Sequence, residues 1–152
     1  MLHVVTGPPC SGKTTYIRKM ARRGDLTVDL DDLAYSLGAG RGHHAGGAPL
    51  AVALVARRMA IRYALRECSG PGSECDAWII DTMPDGEAVA RYQRAGAEIV
   101  VLDPGLDECV RRARKDKRRK GTESAIMKWY DAKHEGKLGA ISGNASPQSR
   151  EW

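Results

Sequence analysis

Short apolar runs alternate with stretches of helical period along this chain. Residues 2–6, 26–30, 77–81 and 98–102 are rich in Val, Ile and Leu, the pattern of strands buried on both faces. Between them, segments 13–23, 31–37, 50–67 and 86–95 carry the i, i+3, i+4 spacing of helices. Leu106, Cys109, Val110 and Ala113 give the next segment one apolar face, and 122–135 reads as a final helix with Thr122 as its N-cap. In the longest helix, Leu50, Leu54, Ile61 and Leu65 share one face, and Arg58, Arg62 and Arg66 form a separate stripe at i, i+4, i+8. Residues 38–49 hold five glycines and read as a mobile loop. Strands that alternate with helices in this way predict an α/β domain with a mostly parallel sheet.

The 152 residues suit one domain at 1–135, followed by a Gly/Ser/Asn-rich tail at 136–152 that packs loosely or not at all. Phe is absent, so Leu, Val, Ile, Ala and three Trp must fill the core. No apolar run approaches the roughly 20 residues of a membrane helix, and a cleaved leader would destroy the first strand, so the expected location is cytoplasmic with no membrane partner. The four cysteines form no Cys-x-x-Cys pair and are read as free thiols, in preference to a metal site with His43 and His44. The net charge of +5 is concentrated: eight of the ten residues from Arg111 to Lys120 are basic. Such a block attracts phosphate, on a nucleotide or on a nucleic acid.

The chemistry is concentrated in four places. Gly7-Pro8-Pro9-Cys10-Ser11-Gly12-Lys13-Thr14 fits G-x-x-x-x-G-K-T between a strand and a helix, with Thr15 following. In such a P-loop, backbone N–H groups and the helix N-terminus cradle phosphates. Lys13 supplies a charge for the β- and γ-phosphates, and Thr14 a hydroxyl for Mg²⁺. Asp29, Asp31 and Asp32 cluster at the end of the second strand, where ligands of parallel sheets bind. One of them is a candidate base for an acceptor hydroxyl, and Asp31 or Asp32 a candidate cap for the next helix. Trp78-Ile79-Ile80-Asp81 is Walker-B-like and makes Asp81 a second candidate for the metal or a contact of the acceptor, or else a plain turn residue before Pro84-Asp85-Gly86. The arginine-rich block at about 111–121 reads as a lid over the triphosphate, with Arg114 and Arg118 chosen as catalytic and Arg112 as nucleotide-binding.

Together these residues resemble the P-loop kinases of the polynucleotide 5′-kinase type, over most of 2–135. The resemblance rests on Gly7–Thr15, Val28-Asp29-Leu30-Asp31-Asp32-Leu33, Ile79-Ile80-Asp81-Thr82, and Val101-Leu102-Asp103 with the arginine-rich helix and Lys128-Trp129-Tyr130. It implies an adenylate-kinase-like fold, a parallel sheet of four or five strands with helices on both faces. It also implies Asp31 as general base, with ATP and Mg²⁺ as cofactors. Kinases of that type carry an arginine three residues after the base to grip a substrate phosphate; here the position is Ala34, with the 58/62/66 stripe or Arg41 as candidate substitutes. The expected activity is transfer of the γ-phosphate to a hydroxyl of a nucleic acid (a 5′-end or a modified base, as phages use in DNA hypermodification) or of a nucleotide. Two alternatives stand beside it: a kinase of nucleosides, nucleoside monophosphates or another small alcohol, and a nucleotide-binding regulatory protein with no acceptor.

Overall fold

In the computed structural model, residues 1–40, 46–70 and 72–138 are described. The first apolar run forms β1 (Leu2–Thr6), buried at every position, because it lies at the centre of a four-stranded sheet ordered β2-β3-β1-β4. β2 is Leu26–Val28, β3 Ala77–Ile80 and β4 Glu98–Val101. All three pairings are parallel, with Val4 beside Ile79 on one side and Ile99 on the other.

Strand alternation sorts the side chains to two faces. Leu2, Val4, Ala77 and Ile79 pack against Ile61 and Ala64 of α3 (Gly47–Glu67) and against Ala88 and Tyr92 of α4 (Gly86–Arg94). Val5, Trp78, Val100 and Leu102 meet Ile17 of α1 (Lys13–Met20). A smaller third cluster joins α5 (Leu106–Lys115) to α6 (Thr122–His134) through Cys109, Ala113 and Ile126. The expected α/β sheet with helices on both faces is therefore the observed one, with four strands among the described residues.

Several boundaries differ from the sequence reading. β2 stops at Val28, because Asp29 turns out of the sheet as N-cap of α2 (Leu30–Ser36) and accepts the Asp31 N–H at 3.0 Å. The cap is thus Asp29, and not Asp31 or Asp32. α1 ends at Met20, three residues early, where Asp25 takes the Arg22 N–H at 2.7 Å and turns the chain. α3 begins at Gly47, ahead of Pro49: a proline in the first turn loses an N–H that has no helical partner anyway. Thr122 is the first residue of α6 and not its cap; Gly121, at φ 94°, makes the entry without a side-chain bond. Of the glycine-rich loop, 41–45 lie outside the described residues, and with them Arg41, His43 and His44; the same holds for 139–152 of the tail.

α5 ends at Lys115. The Arg118 N–H bonds Ala113 O at 3.0 Å and the Lys117 N–H bonds Arg114 O at 3.1 Å, a Schellman reversal with Lys117 left-handed at φ 49°. The equivalent residue after α4 is Gly96 and after α6 is Gly136. A side chain in that conformation costs about 1 kcal/mol or more, so Lys117→Gly is expected to raise stability by about 0.5–1 kcal/mol. A thermal melt should move up by about 2–4 °C.

Candidate active site

The end of the central strand sets the site. Gly7 leaves β1 at φ 145°, and a Cβ there would lie 2.2 Å from the Leu102 carbonyl oxygen, so only glycine lets the loop start against β4. Cys10 takes φ 64° and Gly12 φ 98°, turns that wrap the chain around the N-terminus of α1. Lys13 sits inside this wrap and is 8% exposed. Its ammonium donates to Gly7 O at 2.8 Å and Pro8 O at 2.7 Å, with Ser11 Oγ at 3.5 Å. Burial lowers its pKa from the ordinary 10.5 to about 8, because desolvation disfavours the charged form.

One helical residue on, Thr14 Oγ1 donates to Asp29 Oδ2 at 2.8 Å. Asp29 is 9% exposed, and its carboxyl is raised above the usual range by burial, against the pull of the Thr14 and Asp31 hydrogen bonds. A hydroxyl and a carboxylate oxygen side by side at a helix N-terminus are hard ligands of the kind that suit Mg²⁺ bound mainly through substrate phosphates. The four strand-end acids have separate surroundings. Asp31 lines the cleft beside Lys13 and Thr14. Asp32 is turned to Arg18 of α1, at 3.3 Å. Asp81 accepts from the Tyr92 hydroxyl at 2.8 Å and lies 3.4 Å from Arg57. Asp29 is therefore the carboxylate bonded to Thr14, whereas Asp81, the carboxylate expected at the metal, is held by an arginine and a phenol. The Asp81 carboxylate beside it helps burial push the Tyr92 phenol up.

Lys13, Thr14, Asp29, Asp31, Arg57 and Asp81 line one cleft of about 800 Å³. One wall is the P-loop from Pro9 to Thr15, with Ser11 buried beneath it; another is Leu50, Leu54 and Arg57 of α3 with Ile80 of β3 and the three residues after it; a third is residues 118–122 and Ala125. Arg57 is anchored by donating to Ile80 O at 2.8 Å. The position is seven residues beyond Leu50 and three beyond Leu54, on the row read as apolar, which is the signal by which it could have been found.

The chosen arginines separate. Arg118 lines the cleft, 3.7 Å from Asp116. It reaches there because the chain reverses after Lys115 and takes Arg118 off the helical row of Arg111 and Arg114. Arg112 bonds Glu108 at 2.6 Å and Cys10 O at 3.4 Å, and so ties α5 to the P-loop. Arg111 and Arg112 together draw Glu108 down to about 2. Arg114 forks onto Glu123 of α6 at 3.0 Å, exposed, and is not among the residues lining the cleft. α6 is tied back by Trp129, whose indole N–H donates to Thr82 O at 2.9 Å, and by Tyr130, which donates to Asp103 at 2.6 Å.

A family model described as an AAA domain matches residues 4–129, from the first strand through Trp129. The chain belongs to that AAA-domain family. Among solved structures, the shikimate kinase from Acinetobacter baumannii, in complex with shikimate, aligns with a TM-score of 0.51. Identity is 16%, over 98% of this chain and 86% of that chain, which is a likeness of fold. No curated protein matches the sequence. Among the described residues of this AAA-domain protein, no helix is long and apolar enough to cross a membrane.

The burial of Lys13 predicts a pH dependence for any phosphate bound beside its ammonium. Phosphates beside the ammonium raise its pKa again, so binding takes up a proton above the free value of about 8. Affinity for ATP is expected to fall by up to about tenfold per pH unit above that point, with proton uptake visible by calorimetry in buffers of different ionisation heat. Lys13→Arg should abolish the dependence. Stability runs the other way: between about 8 and 10.5 the unfolded chain holds the extra proton, so this group's contribution to stability rises with pH.

Proposed function

We propose that this AAA-domain protein is an ATP-dependent phosphotransferase that moves the γ-phosphate to a hydroxyl of a compact acceptor, of nucleoside or nucleotide size. The observation that carries the reading is the position of Asp31 in the same cleft as Lys13, Thr14 and Arg118. A base, a phosphate cation, a hydroxyl for the metal and a lid cation thus face one volume, the parts that phosphoryl transfer requires. In this reading the P-loop amides and Lys13 hold the β- and γ-phosphates, and Thr14 and Asp29 hold Mg²⁺. Mg²⁺·ATP supplies the phosphoryl group and offsets charge on its oxygens. Asp31 orients the acceptor hydroxyl and accepts its proton at a carboxylate oxygen, while Arg118 neutralises charge that builds up on the transferred group. Asp81 is assigned the task of holding Arg57 on the acceptor side.

A compact acceptor is supported by the walls of the cleft, where Leu50, Leu54 and Met83 stand near Arg57. It is supported further by Ala34, which is fully buried. The position that grips the substrate phosphate in 5′-kinases faces the core here. The second reading, a nucleic-acid acceptor, draws on Arg58, Arg62 and Arg66, which are exposed along the helix that forms one wall.

Labelled γ-phosphate offered with Mg²⁺ to nucleosides, nucleoside monophosphates, 5′-hydroxyl DNA and RNA, and DNA with hydroxymethylated bases is expected to appear on a small acceptor. Asp31→Asn should cut the rate by about 10²–10⁴ with ATP affinity intact. Label on a polymer alone, lost in an Arg58/Arg62/Arg66→Ala variant, would favour the second reading. ATP bound with no acceptor labelled would leave a regulatory nucleotide-binding protein. In the active pair, Arg118→Ala is expected to lower kcat by about 10²–10³, and Arg114→Ala to leave it within about twofold, its partner being an exposed ion pair. Asp29→Asn should raise the Mg²⁺ concentration needed for half-maximal rate, and Asp81→Asn should raise KM for the acceptor.

A further inference from the structure

Far along the sheet from the cleft, the loop between α3 and β3 brings two thiols into contact. Cys68 Sγ and Cys75 Sγ lie 3.5 Å apart, and both are free. Each is held by its backbone. Cys68 is the C-cap of α3, with its N–H on Ala64 O at 2.9 Å, and Ser69 Oγ bonds Leu65 O at 2.6 Å. Cys75 O accepts from Ser73 Oγ at 2.7 Å, and the next residue, Asp76, is fixed by Asp25, by Leu26 N–H and by the Met1 ammonium. The other cysteines have different surroundings: Cys109 faces the Tyr130 hydroxyl, and Cys10 lines the nucleotide cleft.

We infer that Cys68 and Cys75 are a dithiol modification site that closes to an intramolecular disulfide with a small-molecule disulfide as oxidant. Side-chain rotation across about 1.5 Å would bring the sulfurs to bonding distance. Their access sets the order of steps. Cys68 is fully buried and Cys75 partly exposed, so the Cys75 thiolate attacks the small disulfide, forms a mixed disulfide and releases one thiol. The Cys68 thiolate then attacks the Cys75 sulfur and expels the second thiol. Two electrons pass from the protein pair to the small disulfide, and the two thiol protons end on the released thiols. Burial raises Cys68 to about 11, so the second step quickens with rising pH.

The bond would tie the end of α3 to the approach of β3 and constrain the unfolded chain. Leu50, Leu54 and Arg57 lie nearer the other end of α3, and Asp81 follows the other end of β3, so the effect is read in stability and not in the cleft. The test is incubation of the full chain with oxidised glutathione, then thiol titration after unfolding, peptide mapping and thermal melting. Free thiols are expected to fall from four to two, with Cys68 and Cys75 in one linked peptide. The melting temperature should rise by about 5–10 °C and return with dithiothreitol. Cys75→Ser, which alters the more exposed partner, should keep its remaining thiols and show no shift, and Cys68→Ser should stop at a glutathione adduct on Cys75. Four thiols persisting, a stable adduct on the unsubstituted chain, or a disulfide through Cys10 or Cys109 would overturn the inference.

Discussion

A buried ammonium at the end of the central strand organises this molecule. Lys13 can be enclosed only if carbonyl oxygens turn inward to meet it, and Gly7 and Pro8 do so because β1 delivers them there. Gly7 must pass so close to Leu102 O that no side chain fits, and this ties the loop geometry to the register of β1 against β4. Ser11, Gly12 and the start of α1 then have no alternative path. Desolvation disfavours the charged form of Lys13, and an anion beside it would oppose that shift.

Around that cation, tertiary contacts give chemically identical carboxylates different tasks. Asp29 spends one oxygen capping α2 and the other on Thr14. Asp32, three residues away, is drawn outward by Arg18. Asp81 is committed to Arg57 and Tyr92. Asp31 faces the cleft between them. The sorting follows from the exit of the chain at Asp29, since a helix beginning one residue later would rotate all three neighbouring acids by about 100°.

The basic block is sorted by one backbone reversal. Were α5 to continue, Arg118 would extend the stripe of Arg111 and Arg114 over the surface. Instead Lys117 adopts a left-handed turn, and the chain re-enters through Gly121 into α6. Trp129 and Tyr130 anchor α6 to Thr82 and Asp103, so the 118–122 segment is strung across the cleft between two fixed helices.

Sequence alone determined the α/β sheet, the P-loop and the neighbourhood of the acidic cluster, because each is local. Buried strands are apolar without interruption, a phosphate loop needs glycine at set intervals, and helices follow their own period. The membership of Asp31, Lys13 and Thr14 in one cleft follows from those patterns and the rule that parallel sheets bind at their carboxyl ends. Only the tertiary structure decided that Asp29 is the cap and the partner of Thr14, that Arg57 enters an apolar row to meet Asp81, and that Arg118 turns inward while Arg114 stays outside. These depend on where a strand or helix stops. A stop of one or two residues is set by packing against distant segments such as Asp25 with Trp78 and Trp129 with Thr82, and contacts so far apart in the chain leave no periodic trace in the sequence.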